Sequence, residues 1–309
     1  MKRILLIVML LAGTVLAQNI KPMLGTQLDW SDPINKGLLA LYAVNSSAGS
    51  LLMDSSGNSK NGTLSLVSWV LSPRGAALDF SSSTSALVDL GYPVVGSSLS
   101  GLSVVCLCKV AGTTPASQII AENGTNYNYN TFYLSQEDAS HFGFTVYGPT
   151  PAAAAYSSRV SSVAYSVGDW YHVVGTWTPG KDPDFYLNGV LSNGAAGGTA
   201  RTGLLDGNRT LQLGKRPDGT STSFTGQIAF FAVYSRTLTP SEILRLYQDP
   251  WCGFVKERPE LYVAQEAGGS SVPAIRHLRE QMQAVVCPIF VIVLMSAVLK
   301  RRKSCDTLQ

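Results

Sequence analysis

GDWYHVVGTW (Gly168–Trp177), DFYLNGV (Asp184–Val190), LQLGK (Leu211–Lys215) and FTGQIAFFAVYSRTLTPSEILRLYQ (Phe224–Gln248), closed by DPW (Asp249–Trp251), decide the fold. The first segment alternates, with Trp170, His172 and Val174 on one side and Tyr171, Val173 and Gly175 on the other, as in a half-buried strand. Asn188-Gly189 between two apolar runs is a hairpin turn signal. Phe224–Ser235 reads as a last long strand. Thr239, Pro240 and Glu242 then spell a capped helix start, and Ile243, Leu246 and Tyr247 recur at helical spacing until Pro250 stops the helix. Strand, turn and strand followed by one short helix is the grammar of an antiparallel sandwich.

Upstream segments extend the pattern. Gly37–Tyr42 reads as the first strand, and Ala77–Phe80 and Ala86–Gly91 as short strands around a Ser-rich turn. Leu102–Val110 (LSVVCLCKV) is almost wholly apolar, as expected at the sandwich centre. Residues 148–168 are Ala/Ser-rich and read as a long loop with a weak strand.

Of 309 residues, 45% are hydrophobic and only 14% charged. That supplies ample core and leaves Ser, Thr, Asn and Gly to make much of the surface. Residues 1–17 read as a signal peptide: Lys2 and Arg3, an apolar Ile4–Leu11, then small residues at Val15 and Ala17. Ala284–Leu299 is a second apolar run, followed by Lys300-Arg301-Arg302-Lys303, and reads as a candidate membrane anchor with a cytoplasmic flank. The divisions expected are therefore a signal peptide (1–17), an extended lead-in (18–36), a sandwich (37–254), a linker (255–283), the anchor (284–299) and a basic tail (300–309). A secreted or extracellular protein, tethered through its C-terminal segment, follows. Without the leader and tail, the 18–299 segment holds 17 basic and 19 acidic residues, so it carries no electrostatic footprint for nucleic acid. Five cysteines form no disulfide framework; Cys106 and Cys108 share one strand face and read as small apolar groups.

GLLALY with DSSGNSKNGTL, then ALDF, LVDLG, GDWYHVVGTW, FYLNGV, LQLGK and FTGQIAFFAVYSRTLTPSEI, resemble in order and spacing the laminin G-like, concanavalin A-like lectin/glucanase family over residues 37–251. The resemblance implies an all-β, two-sheet antiparallel jelly-roll sandwich with one short C-terminal capping helix, a curved concave face, and ligand or calcium sites on rim loops. It also implies a structural calcium ion between the DSSG-type loop and an acid after the Gly-x-Ile of the last strand. Asp54 and Asn58 offer hard oxygen donors there, but Ala229 stands where the acid is usual. The preferred alternative is a plain turn in which Asp54 caps backbone amides.

Candidate ligand contacts are Tyr127, Tyr129 and Asn130, an aromatic and amide cluster on one loop suited to sugar, and the acidic pair Glu137-Asp138 at a hairpin tip. His141 and Tyr147 lie close by in sequence. Trp69, Trp170 and Trp177 read as core, and His172 as a hydrogen-bonded buried histidine. Sequons at Asn45, Asn61, Asn123 and Asn208 all fall in expected turns. No strand carries two acids at i and i+2, and no nucleophile elbow occurs, so catalysis lacks its signature. The function expected is a non-catalytic extracellular module binding carbohydrate or a surface protein through rim loops. A structural or adhesive component of a cell envelope or phage virion, and a glycoside hydrolase of the same fold, are the alternatives.

Overall fold

A strand buried on both faces carries apolar residues at every position rather than every second one, and Leu102–Val110 is such a strand. In the computed structural model it lies near the middle of an eight-stranded sheet, between Trp170–Trp177 and Gly226–Tyr234. The structure describes residues 21–91, 99–112, 117–124, 130–148, 155–204, 210–216 and 222–256. The chain divides into two units, 1–256 and 257–309. The signal peptide, the linker beyond residue 256, the candidate anchor, the tail and the Asn208 sequon lie outside the described residues. No helix among the described residues is long and apolar enough to cross a membrane.

In chain order the strands are β1 (Leu38–Tyr42), β2 (Leu51–Leu52), β3 (Gly62–Ser65), β4 (Ser68–Ser72), β5 (Gly75–Asp79), β6 (Leu87–Asp89), β7 (Leu102–Val110), β8 (Gln118–Gly124) and β9 (Asn130–Gln136). They continue as β10 (Phe142–Tyr147), β11 (Tyr156–Ser161), β12 (Trp170–Trp177), β13 (Asp184–Leu187), β14 (Val190–Leu191), β15 (Asn193–Gly198), β16 (Leu211–Leu213), β17 (Thr222–Ser223) and β18 (Gly226–Tyr234). One helix, α1 (Pro240–Gln248), follows. The back sheet runs β14-β13-β12-β7-β18-β5-β4, with β1 also on β18. The ten-stranded front sheet runs β15-β11-β10-β9-β8-β16-β6-β3-β2, with β17 on β8 as its one parallel pair. The fold is thus the expected two-sheet sandwich with a short C-terminal helix.

Between the sheets lies the main core, including Val104, Cys106, Cys108, Phe132, Phe144, Val173, Trp177 and Phe231. The sheets approach so closely at Gly175 that a Cβ there would sit 2.1 Å from Phe144 Cγ. Cys106 and Cys108 are buried small groups, and burial drives the Cys106 thiol pKa far upward. Asn188 and Gly189, with φ of +51° and +81°, form the tight β13–β14 turn that their sequence announces.

A second apolar layer covers the outer face of the back sheet. Val105, Leu107, Val174, Phe230 and Tyr234 pack there against Leu28 and Ile34 of the N-terminal segment and Ile243, Leu246, Trp251 and Phe254 of the C-terminal one. The two segments are joined to each other: Leu28 bridges Phe254, Val255 N–H donates to Gln27 O at 2.9 Å, and Arg245 pairs with Asp32. Thr239 caps α1 in a full capping box with Glu242. Tyr247 is not buried as its spacing suggests; it is 42% exposed and lies over His172, ring to ring at 6.0 Å.

Three further readings change. His172 is buried as expected, but neither ring nitrogen has a hydrogen-bond partner. Asn123 is not in a turn: it is fully buried in β8, so that sequon is closed in the folded protein. Trp69 is only half-buried, its indole N–H donating to Gly49 O at 2.8 Å.

Burial lowers the His172 pKa to about 3 from an ordinary 6.5. The unfolded chain therefore binds one more proton than the folded chain between those values, and stability falls as pH drops through that window. At pH 5 the loss is on the order of 2 kcal/mol. His172→Leu should abolish that part of the pH dependence and leave stability at pH 7 equal or higher, read from urea midpoints at pH 7 and pH 5.

Candidate functional site

Residues opposite one another in a ladder share a face, so register alone places the side chains of the front sheet. Leu211, Leu213, Phe132, Leu134, Phe144 and Val146 point into the core. Gln212, Tyr133 and Thr145, between them, therefore point outward. The pairings Thr63↔Asp89, Asp89↔Gln212, Gln212↔Glu122, Glu122↔Tyr133 and Tyr133↔Thr145 set one continuous row across six strands, β3-β6-β16-β8-β9-β10. A row of that length spans roughly 24 Å.

The row is polar and aromatic. Glu122 is fully buried and accepts a hydrogen bond from Arg216 Nε at 3.1 Å. Asp89 Oδ1 accepts from the Gly91 amide at 2.9 Å. Between these two acids, Gln212 is 9% exposed, and its Oε1 has no hydrogen-bond partner. Beside them three tyrosines form a ladder: Tyr133 to Tyr147 at 6.1 Å and Tyr147 to Tyr156 at 6.2 Å between ring centroids.

The residues expected from sequence fall in several places. Tyr127 and Tyr129 lie outside the described residues. Asn130 opens β9, the strand that carries Tyr133. Glu137 and Asp138 sit at the β9–β10 connection but differ. Glu137 Oε2 accepts from Ser135 Oγ at 2.7 Å and leans over Gly143, so it extends the outward face. Asp138 is spent on its own turn, accepting from the Ser140 and His141 amides, both at 2.7 Å, and facing His141 Nδ1 at 3.1 Å. Burial pushes the Asp138 carboxyl up, but the bonds from Ser140 and His141 outweigh it and hold its pKa below the ordinary value.

Asp54 behaves as a turn cap. Oδ1 accepts from the Leu41 and Ser56 amides at 3.1 and 2.8 Å, and Oδ2 from Ser56 Oγ and the Lys60 amide at 2.8 and 3.0 Å. Asn58 donates through Nδ2 to Leu39 O at 2.9 Å. Every Asp54 contact is thus from a donor, and the carboxylate ties the loop to β1. Among the described residues, no group of three His, Cys, Asp or Glu side chains could hold a metal ion.

Sequence reasoning missed Glu122, Arg216, Gln212, Asp89, Tyr133 and Tyr156. They come from five different strands and, in Arg216, from the segment after β16, and only the strand order gathers them.

Residues 82–244 match the family model described as the concanavalin A-like lectin/glucanases superfamily, and the chain belongs to this family. No curated protein matches it. Among solved structures it is similar to the binding domain of Paraclostridial Mosquitocidal Protein 1, with a TM-score of 0.55 and 16% identity over 69% of this chain and 52% of that one. It is also similar to Trypanosoma rangeli sialidase in complex with sialic acid, at 0.51 and 17% over 69% of this chain and 33% of that one. Domain 4 of AbnA, a GH43 extracellular arabinanase from Geobacillus stearothermophilus in complex with arabinotriose, gives 0.48 and 20% over 68% of this chain and 98% of that one. The chain thus spans about half the length of the first of these and a third of the sialidase. At such identities the likeness is one of fold, and the fold is shared by binding domains and hydrolases.

Removing the Asp54 carboxylate takes an acceptor from four donors. Asp54→Ala should therefore destabilise the protein by about 2–4 kcal/mol, with the same loss of melting temperature in calcium chloride and in a chelator. A loss confined to the calcium-containing sample would instead identify Asp54 as a metal ligand.

Proposed function

We propose that this protein is a non-catalytic, extracellular recognition module that binds carbohydrate through the outer face of its front sheet. One observation carries the reading. Gln212 Oε1, buried and without a partner, stands in the row between Asp89 and Glu122 and two strands from Tyr133. A buried acceptor left unpaired in the unliganded protein is destabilising, and a hydroxyl donated by a ligand would satisfy it. Carbohydrate suits the rest of the row. Its hydroxyls match carboxylate, amide and guanidinium groups, and its C–H faces match the tyrosine rings. The export signal read in residues 1–17 and the membership of a lectin/glucanase family fit an extracellular role. Glu137, just beyond the end of β9, would extend the surface.

Hydrolysis is the second reading, and one observation favours it. Glu122 and Asp89 share the row two strands apart, with backbones about 10 Å from each other. Inverting glycosidases hold their carboxyl groups about 6.5–9.5 Å apart. Against this, the chain's own groups already engage both carboxylates: Arg216 Nε donates to Glu122 and the Gly91 amide donates to Asp89.

Glycan-array and surface-protein pull-down experiments with the purified protein test the first reading. Tyr133→Ala and Gln212→Ala should each weaken retention of the bound glycan about tenfold or more, equivalent to roughly 1.4 kcal/mol, while Val190→Ser at the far edge of the back sheet leaves it unchanged. Retention of no glycan and no surface protein would remove the reading. Release of reducing sugar from the retained glycan, abolished in Glu122→Gln, would replace it with hydrolysis.

A further inference from the structure

Strand β18 changes partners partway along one edge. β5 pairs with it at Gln227 and Ile228, and β1 takes over from Phe231. On the other edge, the ladder with β7 is irregular between Ile228 and Phe230. At this break three main-chain carbonyls from three separate segments converge on one nitrogen. Lys21 Nζ donates to Ala76 O at 2.5 Å, Ala229 O at 2.9 Å and Val44 O at 3.2 Å. The ring of Trp251 faces the same nitrogen at 4.8 Å. Among the described residues, Lys21 makes no ion pair with a carboxylate.

An ammonium has three N–H donors, and here each has its own oxygen. The arrangement is held at some expense. Val44 adopts a φ of +50°, a left-handed conformation that β-branched residues avoid, immediately before the carbonyl it presents. The lysine stem lies across Gly75, where a Cβ would come within 3.3 Å of Lys21 Cδ.

We propose that this junction is a cation-binding site made of main-chain oxygens and one indole face, which the chain fills with its own Lys21 ammonium. Its ligand class is a primary ammonium or a bare monovalent cation of similar size. Neutral oxygens without a carboxylate do not suit calcium, which takes six to eight oxygen ligands and usually includes carboxylates. Carbonyls at a ladder break need a donor or a cation in place of the missing strand partner, and an aromatic face adds attraction for positive charge. Burial pulls the Lys21 pKa down to about 7. Lys21 fastens the N-terminal segment to the back sheet by charge as well as by apolar contact. The site is independent of the front face and of whatever that face binds.

The test is chemical rescue. Thermal unfolding of the wild type, Lys21→Ala and Lys21→Met is followed at constant ionic strength in tetramethylammonium chloride, a cation too bulky for the site. Ammonium, methylammonium, potassium or calcium chloride is then substituted for part of it. Lys21→Ala is expected to melt roughly 4–10 °C below wild type, and ammonium, methylammonium or potassium to restore at least half of that loss with a saturable dose dependence. The wild type should be indifferent. If Lys21→Ala does not fold in tetramethylammonium chloride, its refolding yield on adding ammonium is the readout, with the same two outcomes. The proposal is overturned if no small cation outperforms tetramethylammonium, if Lys21→Met melts with the wild type, or if calcium rescues and ammonium does not.

Discussion

Everything in this molecule depends on the back sheet being buried on both faces. Its central strands, β7, β12 and β18, are apolar on the side toward the front sheet and on the side away from it. A sandwich of two sheets satisfies only the first of these. The second needs a further layer, and the chain makes it from its two ends of the described region, residues 21–37 and 238–254, which are remote in sequence and zipped together over the sheet. At about 25 cal/mol per Å² of apolar surface, covering that face outweighs any single polar contact in the fold. The covering has a functional consequence. It occupies the back face with structural contacts, and the polar and aromatic groups gather instead in the outward row of the front sheet, where Glu122 is buried and Gln212 is 9% exposed.

What was legible in the sequence was what is local. The alternation of Trp170–Trp177 set both of its faces correctly. The unbroken apolar run of Leu102–Val110 pointed to the sheet centre, although not to the second layer that explains it. Asn188-Gly189 and Thr239-Pro240 with Glu242 carry their own stereochemistry, and both form as written. The Asp54 turn is of the same kind, since its partners lie in its own loop and in β1 beside it.

What was not legible was what strand order assembles. Asp89, Glu122 and Gln212 occupy adjacent positions of one row because β16, near the end of the domain, inserts between β6 and β8. No spacing in the chain announces that insertion. Sequence reading favours clusters such as Tyr127–Asn130, where suitable residues are neighbours in the chain, over rows whose members are neighbours only in space. Asn123 misled for a related reason. Asn-Gly-Thr has turn chemistry, yet β8 extends through Asn123 and Gly124 because β9 and β16 both pair there. Lys21 gave no signal at all, because its partners are carbonyls and every residue has one.

Two partly buried cations show how differently charge can be used. Lys21 answers main-chain dipoles at a break in a ladder, so its positive charge completes the backbone hydrogen bonding of a rigid layer. Arg216 answers a side-chain carboxylate, Glu122, on the outward face. A buried ion pair is poor evidence for stability, because desolvating both ions offsets most of their attraction. An apolar pair would hold two strands as well or better. The fold therefore gains little from Glu122 and Arg216 as a structural device. What the pair does supply is a positioned carboxylate and a positioned guanidinium beside an unsatisfied amide oxygen and a tyrosine ladder, which is an ordered set of polar directions.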